Sequence, residues 1–210
     1  MFTKDSSILF TGDSITDCGR NREELTSCGD GYAYMLKSRF LFEQPDKNLT
    51  ILNKGISGNR IVDIYARIKE DCINLAPDIL SILIGVNDVW HEFSRGQGVS
   101  AEKFQFVYSL LLNEIVVAFP GIKLVLMEPF VLAGGLPVGD YDTWRAEMAV
   151  RQGIVKELAK TYSAVFVPLQ QPFEEACSIA TDTYWLYDGV HPTCAGHMLI
   201  ADRWIKAVKQ

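Results

Sequence analysis

Short, nearly unbroken apolar runs alternate along this chain with longer segments whose apolar residues recur at helical spacing. The runs are Ile8–Thr11, Leu49–Asn53, Ile79–Ile84, Lys123–Met127 and Val165–Pro168. They are rich in Ile, Leu and Val and do not alternate with polar residues, the pattern of strands covered on both faces. Near the C-terminus, Cys194, Met198, Ala201, Ile205 and Val208 draw one apolar stripe along a predicted helix. Trp144, Met148, Val155, Leu158 and Tyr162 do the same over 144–162. Strands joined by crossovers long enough to hold a helix run parallel, with right-handed connections. The expected architecture is a three-layer α/β/α sandwich, a flavodoxin-like doubly wound sheet of about five parallel strands, forming one domain over 1–210.

Composition narrows the class without altering that picture. The chain has 210 residues and a net charge of −6, with 48% hydrophobic and 22% charged residues. That balance suits a globular core and excludes disordered and fibrous classes. Mild acidity and the lack of a basic run argue against a nucleic-acid partner. No segment approaches the ~20 apolar residues of a membrane span, and the opening residues carry no leader-like apolar stretch. A cytoplasmic protein with no membrane partner is expected; a homo-oligomer is left open. The cysteines Cys18, Cys28, Cys72, Cys177 and Cys194 are odd in number and scattered, which suits reduced thiols that pack as small hydrophobes.

In an open parallel sheet, ligands bind beyond the carboxyl ends of the strands, so the loops after the strands are where chemistry is expected. Ser14 follows the first strand in Gly12-Asp13-Ser14. Such a serine can present its hydroxyl at the sheet edge, or simply cap a turn. No Gly-x-Ser-x-Gly elbow exists, so an α/β-hydrolase turn is not the device. A serine hydroxyl needs a base, and the chain has three histidines. His91 reads as a solvated loop imidazole and His197 as a packing or hydrogen-bonding residue in the last helix. His191 is better placed. Pro192 biases it away from helical backbone and suits a first helical turn, and Gly189 lets the preceding loop fold tightly. Asp188 can then curl back onto one ring nitrogen and leave the other facing Ser14.

Acyl transfer also needs donors for the oxygen that becomes negative. The Ser14 amide, Gly58 after the second strand and the Asn87 side chain after the third could supply them. Taken alone, Gly58 reads more readily as a turn glycine and Asn87 as an Asx-turn residue; it is the conjunction with Ser14, Asp188 and His191 that favours the donor reading. Trp90, Tyr184, Trp185 and Tyr187 put aromatic rings next to these residues in sequence, able to stack on a sugar, wall an acyl pocket or pack against the sheet.

With those residues in view, the chain resembles the SGNH (GDSL-type) hydrolases, whose blocks match here as Gly12-Asp13-Ser14, Gly58, Asn87-Asp88 and Asp188 with His191. The likeness runs from about Ile8 to Ile205. Gly-Asp-Ser-Ile-Thr-Asp-Cys-Gly-Arg, Asn-Lys-Gly-Ile-Ser-Gly-Asn, Ile-Gly-Val-Asn-Asp-Val-Trp and Val-His-Pro-Thr-Cys-Ala-Gly-His look most like bacterial intracellular xylan acetylesterases. Ile15 and Val86 depart from the usual blocks; neither is expected to touch a reacting atom, and Val86 could alter the acyl pocket. The resemblance implies cofactor-free, metal-independent ester hydrolysis through an acyl-serine, on an O-acetylated xylo-oligosaccharide or similar glycan. It also implies that Asp13 organises the first block by bonding nearby loops. Two alternatives stay open: a short-chain acyl esterase or thioesterase of the same family, and a flavodoxin-like FMN- or nucleotide-binding module using the hydroxyl-rich first loop.

Overall fold

A computed structural model describes residues 2–135 and 140–209. Its strands are β1 (Ser7–Gly12), β2 (Thr50–Asn53), β3 (Ile79–Leu83), β4 (Lys123–Met127) and β5 (Val165–Val167). All pair in parallel, in the order β2-β1-β3-β4-β5. The doubly wound sheet of five parallel strands matches the expectation from the sequence, and the structure adds the strand order. The order reverses between β1 and β3, which opens a crevice at their carboxyl ends.

The helices are α1 (Ser14–Asp17), α2 (Tyr32–Glu43), α3 (Ile61–Ala66), α4 (Ile68–Asp71), α5 (Val86–Arg95), α6 (Ala101–Ala118), α7 (Tyr141–Thr161), α8 (Gln170–Ala176), α9 (Asp182–Trp185) and α10 (Cys194–Lys209). Alternate strand residues divide the core in two. Ile8 and Phe10 of β1, Leu83 of β3 and Val125 and Met127 of β4 meet Tyr32, Leu36 and Phe40 of α2 and Ile200 and Trp204 of α10. Leu9, Leu80, Ile82, Leu124 and Leu126 face the other way, against Ile64 of α3 and Phe104, Leu111 and Ile115 of α6. The period-two side-chain alternation of a strand thus feeds both helical layers, and each fully buried Leu, Ile or Phe contributes about 1.5–3 kcal/mol. Helix α7 spans both, with Trp144 and Met148 in one cluster and Val155 and Leu158 in the other.

Helix α10 differs from the stripe drawn from sequence. Its buried face is His197, Ile200, Ala201, Trp204 and Ile205, while Met198 is 48% exposed and Cys194 is exposed. The buried indole has a polar end to satisfy, and Trp204 Nε1 donates to Ser81 Oγ of β3 at 3.0 Å, on the face of the sheet that α10 covers. The shift of one residue follows from that bond and from the bonds His197 makes. Of the cysteines, Cys28 and Cys72 are buried; Cys18 and Cys177 are only half-buried, so the expectation of buried thiols holds for two. Among the described residues no helix is long and apolar enough to cross a membrane.

Candidate active site

Ser14 is set by the turn that ends β1. Asp13 caps α1, its Oδ1 accepting from the Ile15 amide at 3.0 Å. A methyl group on Gly12 would run into the Leu83 carbonyl of β3 and the Thr16 hydroxyl, so this turn requires close approach that only glycine permits. Ser14 therefore stands first in a one-turn helix above the crevice, and an amide at that position has no intrahelical partner.

The segment carrying His191 is a tight hairpin. Leu186 and Pro192 form an antiparallel bridge, and the Tyr187 amide donates to the His191 carbonyl at 3.1 Å. Pro192 is thus not in the first turn of α10, as its type suggested. Thr193 occupies the entry instead, its Oγ1 accepting from the Gly196 amide. Within the hairpin Asp188 Oδ1 accepts from the His191 amide at 2.7 Å and the Val190 amide at 3.1 Å. Its Oδ2 lies 2.7 Å from His191 Nδ1, and His191 Nε2 lies 2.8 Å from Ser14 Oγ. A carboxylate at Nδ1 requires the hydrogen there, so the Nε2 lone pair accepts from the serine hydroxyl.

The charges are arranged to favour an imidazolium. Burial pulls the His191 pKa down, but the bond and charge of Asp188, with a further contribution from Asp13, hold it above the ordinary histidine value. Burial pushes Asp188 up, yet its bonds from His191 keep it below the usual carboxylate range. Asp13 is buried, and that burial lifts it to about 7 against the bond from Ile15.

Gly58 and Asn87 line a cavity of about 290 Å³ together with Ser14 and His191. Gly58 has φ +83°, in the left-handed region, and a Cβ there would meet nothing within 4 Å. Backbone conformation, not crowding, is what selects glycine here. Asn87 lies in the first turn of α5, its Nδ2 donating to the Asn59 carbonyl at 3.2 Å. Asp17 pins the segment: its Oδ2 accepts from the Ser57 amide at 2.9 Å and from Arg22 Nη2 at 2.7 Å. The loop-organising work expected of Asp13 is thus done by Asp17, while among the described residues Asp13 bonds within its own turn. Nothing local in the sequence marks Asp17 for this, since one acidic residue after Ile-Thr carries no signal of a tie across the loops.

The aromatic candidates separate. Trp90 lines the smaller cavity, its ring centroid 5.6 Å from that of His191. Tyr187 stacks on the same imidazole at 5.7 Å and 14°. Tyr184 and Trp185 do not reach the reacting residues: Trp185 Nε1 donates to the Ala176 carbonyl and its ring meets Tyr184 edge-on. Val86 is buried in the core beneath the crevice, so its expected bearing on the acyl pocket is not direct. His91 is part of α5 and half-buried at the cavity wall, not a solvated loop residue. His197 accepts from the Tyr32 amide at Nδ1, leaving Nε2–H to donate to Cys18 Sγ at 3.3 Å. It has no lone pair left for base chemistry, consistent with its reading as a hydrogen-bonding core residue.

Among the described residues no cluster of three or more His, Cys, Asp or Glu side chains is placed to hold a metal ion. The first loop fits a phosphate poorly, since it carries the buried Asp13 carboxyl and its serine hydroxyl is engaged by His191.

Known proteins resemble this chain in sequence and fold. The chain is 34% identical over 209 residues to an acetylxylan esterase of Geobacillus stearothermophilus, covering 96% of this chain and 93% of that one. Its fold superposes with a TM-score of 0.95 on a structure from Parabacteroides merdae described as that of a GDSL-like lipase, at 36% identity, covering 100% of this chain and 98% of that one. On the crystal structure of Axe2, the Geobacillus acetylxylan esterase, the TM-score is 0.88 at 32% identity, covering 100% of this chain and 96% of that one. Residues 10–199 match the GDSL-like lipase/acylhydrolase family, and the chain belongs to it.

Proposed function

We propose that this chain is a single-domain serine esterase that removes O-acetyl groups from xylo-oligosaccharides or closely related glycans inside the cell, without metal or cofactor. The observation that carries the reading is the hydrogen-bonded line from Ser14 Oγ through His191 to Asp188, at 2.8 and 2.7 Å. The substrate class is supported by the acetylxylan esterase relatives.

In this mechanism Ser14 Oγ attacks the acetyl carbonyl as His191 Nε2 takes its proton. Asp188 holds the ring in the reactive tautomer and stabilises the imidazolium. The carbonyl oxygen becomes an alkoxide facing the Ser14 amide, the Gly58 amide and Asn87 Nδ2, donors that would have to be in place before the charge develops. As the intermediate collapses, the sugar oxygen leaves with the proton from His191 and the acetyl group stays on Ser14. A water, deprotonated by the same imidazole, then attacks the acetyl-serine, and acetate departs as Ser14 regains its proton.

Mass spectrometry of acetylated xylo-oligosaccharides incubated with the enzyme tests this. Stepwise loss of single acetyl groups is the expected result. Sugars returned unaltered, alongside rapid cleavage of longer acyl esters, would overturn the substrate assignment.

A further inference from the structure

Two cavities meet at the nucleophile. The smaller, about 290 Å³, carries Gly58, Asn87 and Trp90; the larger, about 790 Å³, carries Asp30, Tyr187 and Thr193. Ser14, Ser57 and His191 line both. The chemistry of acyl transfer tells the two arms apart. The carbonyl oxygen must point at the oxyanion donors, of which Gly58 and Asn87 line the smaller arm alone and Ser14 lines both. The departing oxygen must lie against His191 Nε2, because that atom returns the proton. Beyond His191, the wall continues as Tyr187 and Thr193 in the larger arm only.

Two groups in the larger arm have the chemistry of a carbohydrate site. Tyr187 is 61% exposed although its ring lies nearly parallel to the imidazole, so the base supports it from one side and much of the ring is open to the groove. A pyranose presents a face of axial C–H bonds that packs on such a ring, and an aromatic surface held in place costs little entropy to use. Asp30 is exposed on the same groove, and its carboxylate takes part in no hydrogen bond or ion pair among the described residues. A free carboxylate is an acceptor for vicinal sugar hydroxyls.

We infer that the larger arm is the subsite for the leaving sugar, with the Tyr187 ring as its stacking platform and the Asp30 carboxylate as its hydroxyl acceptor, and that the smaller arm takes the acyl group. This rests on the reading of Ser14, His191 and Asp188 as the hydrolytic machinery.

Product inhibition tests it separately from turnover of any sugar ester. Unacetylated xylobiose and xylotriose should inhibit hydrolysis of a small aryl acetate competitively. Asp30→Asn and Tyr187→Ala should each raise that inhibition constant roughly tenfold, while Tyr187→Trp keeps it near the wild-type value. Because the constant reports sugar binding, a change in turnover caused by disturbing His191 does not mimic the effect. No inhibition by either sugar, or an inhibition constant unmoved in both Asp30→Asn and Tyr187→Ala, would overturn the inference. Failure of the wild-type enzyme to cleave acetylated sugars would instead sink the substrate assignment, with the inhibition constants still deciding the subsite.

Discussion

Asp88 accepts the amide of Ile61 with both carboxylate oxygens, at 3.1 and 3.3 Å, and does so fully buried. One residue away, Asn87 Nδ2 donates to the carbonyl of Asn59. The segment carrying Gly58 and the helix carrying Asn87 are therefore tied twice, and the two proposed oxyanion donors form one unit. Burial lifts the Asp88 carboxyl to about 8, and it can accept the Ile61 amide whether or not it holds a proton.

Removing that tie with Asp88→Ala leaves the buried Ile61 amide unsatisfied, at a cost of about 1–3 kcal/mol. It should also lower kcat by about 10²-fold with a much smaller change in KM, since a misplaced donor is missed mainly in the transition state. Steady-state kinetics beside a denaturant curve read both effects. A normal kcat in a folded variant would show that the donors are held by other means.

Ser14→Ala deletes one hydroxyl that touches His191 and little else, so the fold should survive with Tm shifted by no more than a few degrees. Cleavage of a small acetate ester should fall by about 10³-fold or more, and no acetyl-enzyme should appear in the intact mass. Asp188→Asn should cost a comparable factor, because the hairpin's own amide bonds would keep an asparagine in position while the ring loses its tautomer control. Persistent turnover in Ser14→Ala would point to another nucleophile.

The pH profile carries the charge arrangement. His191 must be neutral to accept the serine proton, and Asp188 and Asp13 hold its pKa above the ordinary ~6.5. kcat/KM should accordingly rise with pH along a limb centred above ~6.5, later than for a free imidazole. Asp13→Asn removes one of the supporting charges and should move the limb to lower pH. An unchanged limb in that variant, or flat activity from acid to alkaline pH, contradicts the assignment.

His197 answers to pH in the opposite sense, through stability. Its buried imidazole, depressed by desolvation and by the charge of His191, has a pKa of about 4. The unfolded chain takes up that proton near ~6.5, so folding loses stability as pH falls from there toward 4, by up to about 3 kcal/mol. His197→Asn keeps an acceptor near the Tyr32 amide but cannot titrate. The stability gap between wild type and this variant should therefore narrow or reverse in the variant's favour on acidification. A gap independent of pH over that window would refute the linkage.

The parts of the fold most legible in the sequence were those with one dominant physical cause. Ile8–Thr11 and Ile79–Ile84 are buried on both faces, so their runs are continuous and their placement in the sheet followed. Asp188 and His191 could be paired because they are three residues apart around a glycine and before a proline. Other features depend on neighbours distant in sequence. Trp204 turns inward for Ser81 and His197 for Tyr32 and Cys18, which rotates α10 against its nominal stripe. Asp17 reaches Ser57 across a loop, a contact with no local signature. Trp185, Tyr184 and Tyr187 look interchangeable as a string, yet the hairpin closed by Leu186 and Pro192 sends only Tyr187 toward the imidazole.

That hairpin also sets how this enzyme can fail. Base and acid sit on a single short strip of chain with its own internal bonding, so they travel together. The proposed nucleophile stands at the start of α1, fixed by the turn that ends β1. The strip is anchored from outside as well: the Gly189 carbonyl accepts from the Leu132 amide at 2.9 Å, and Leu186 and Val190 are fully buried in the core, so the imidazole is held toward the hydroxyl by more than the bond between them. Loosening that anchorage would displace imidazole and carboxylate as one piece, keeping their mutual contact while withdrawing both from the serine.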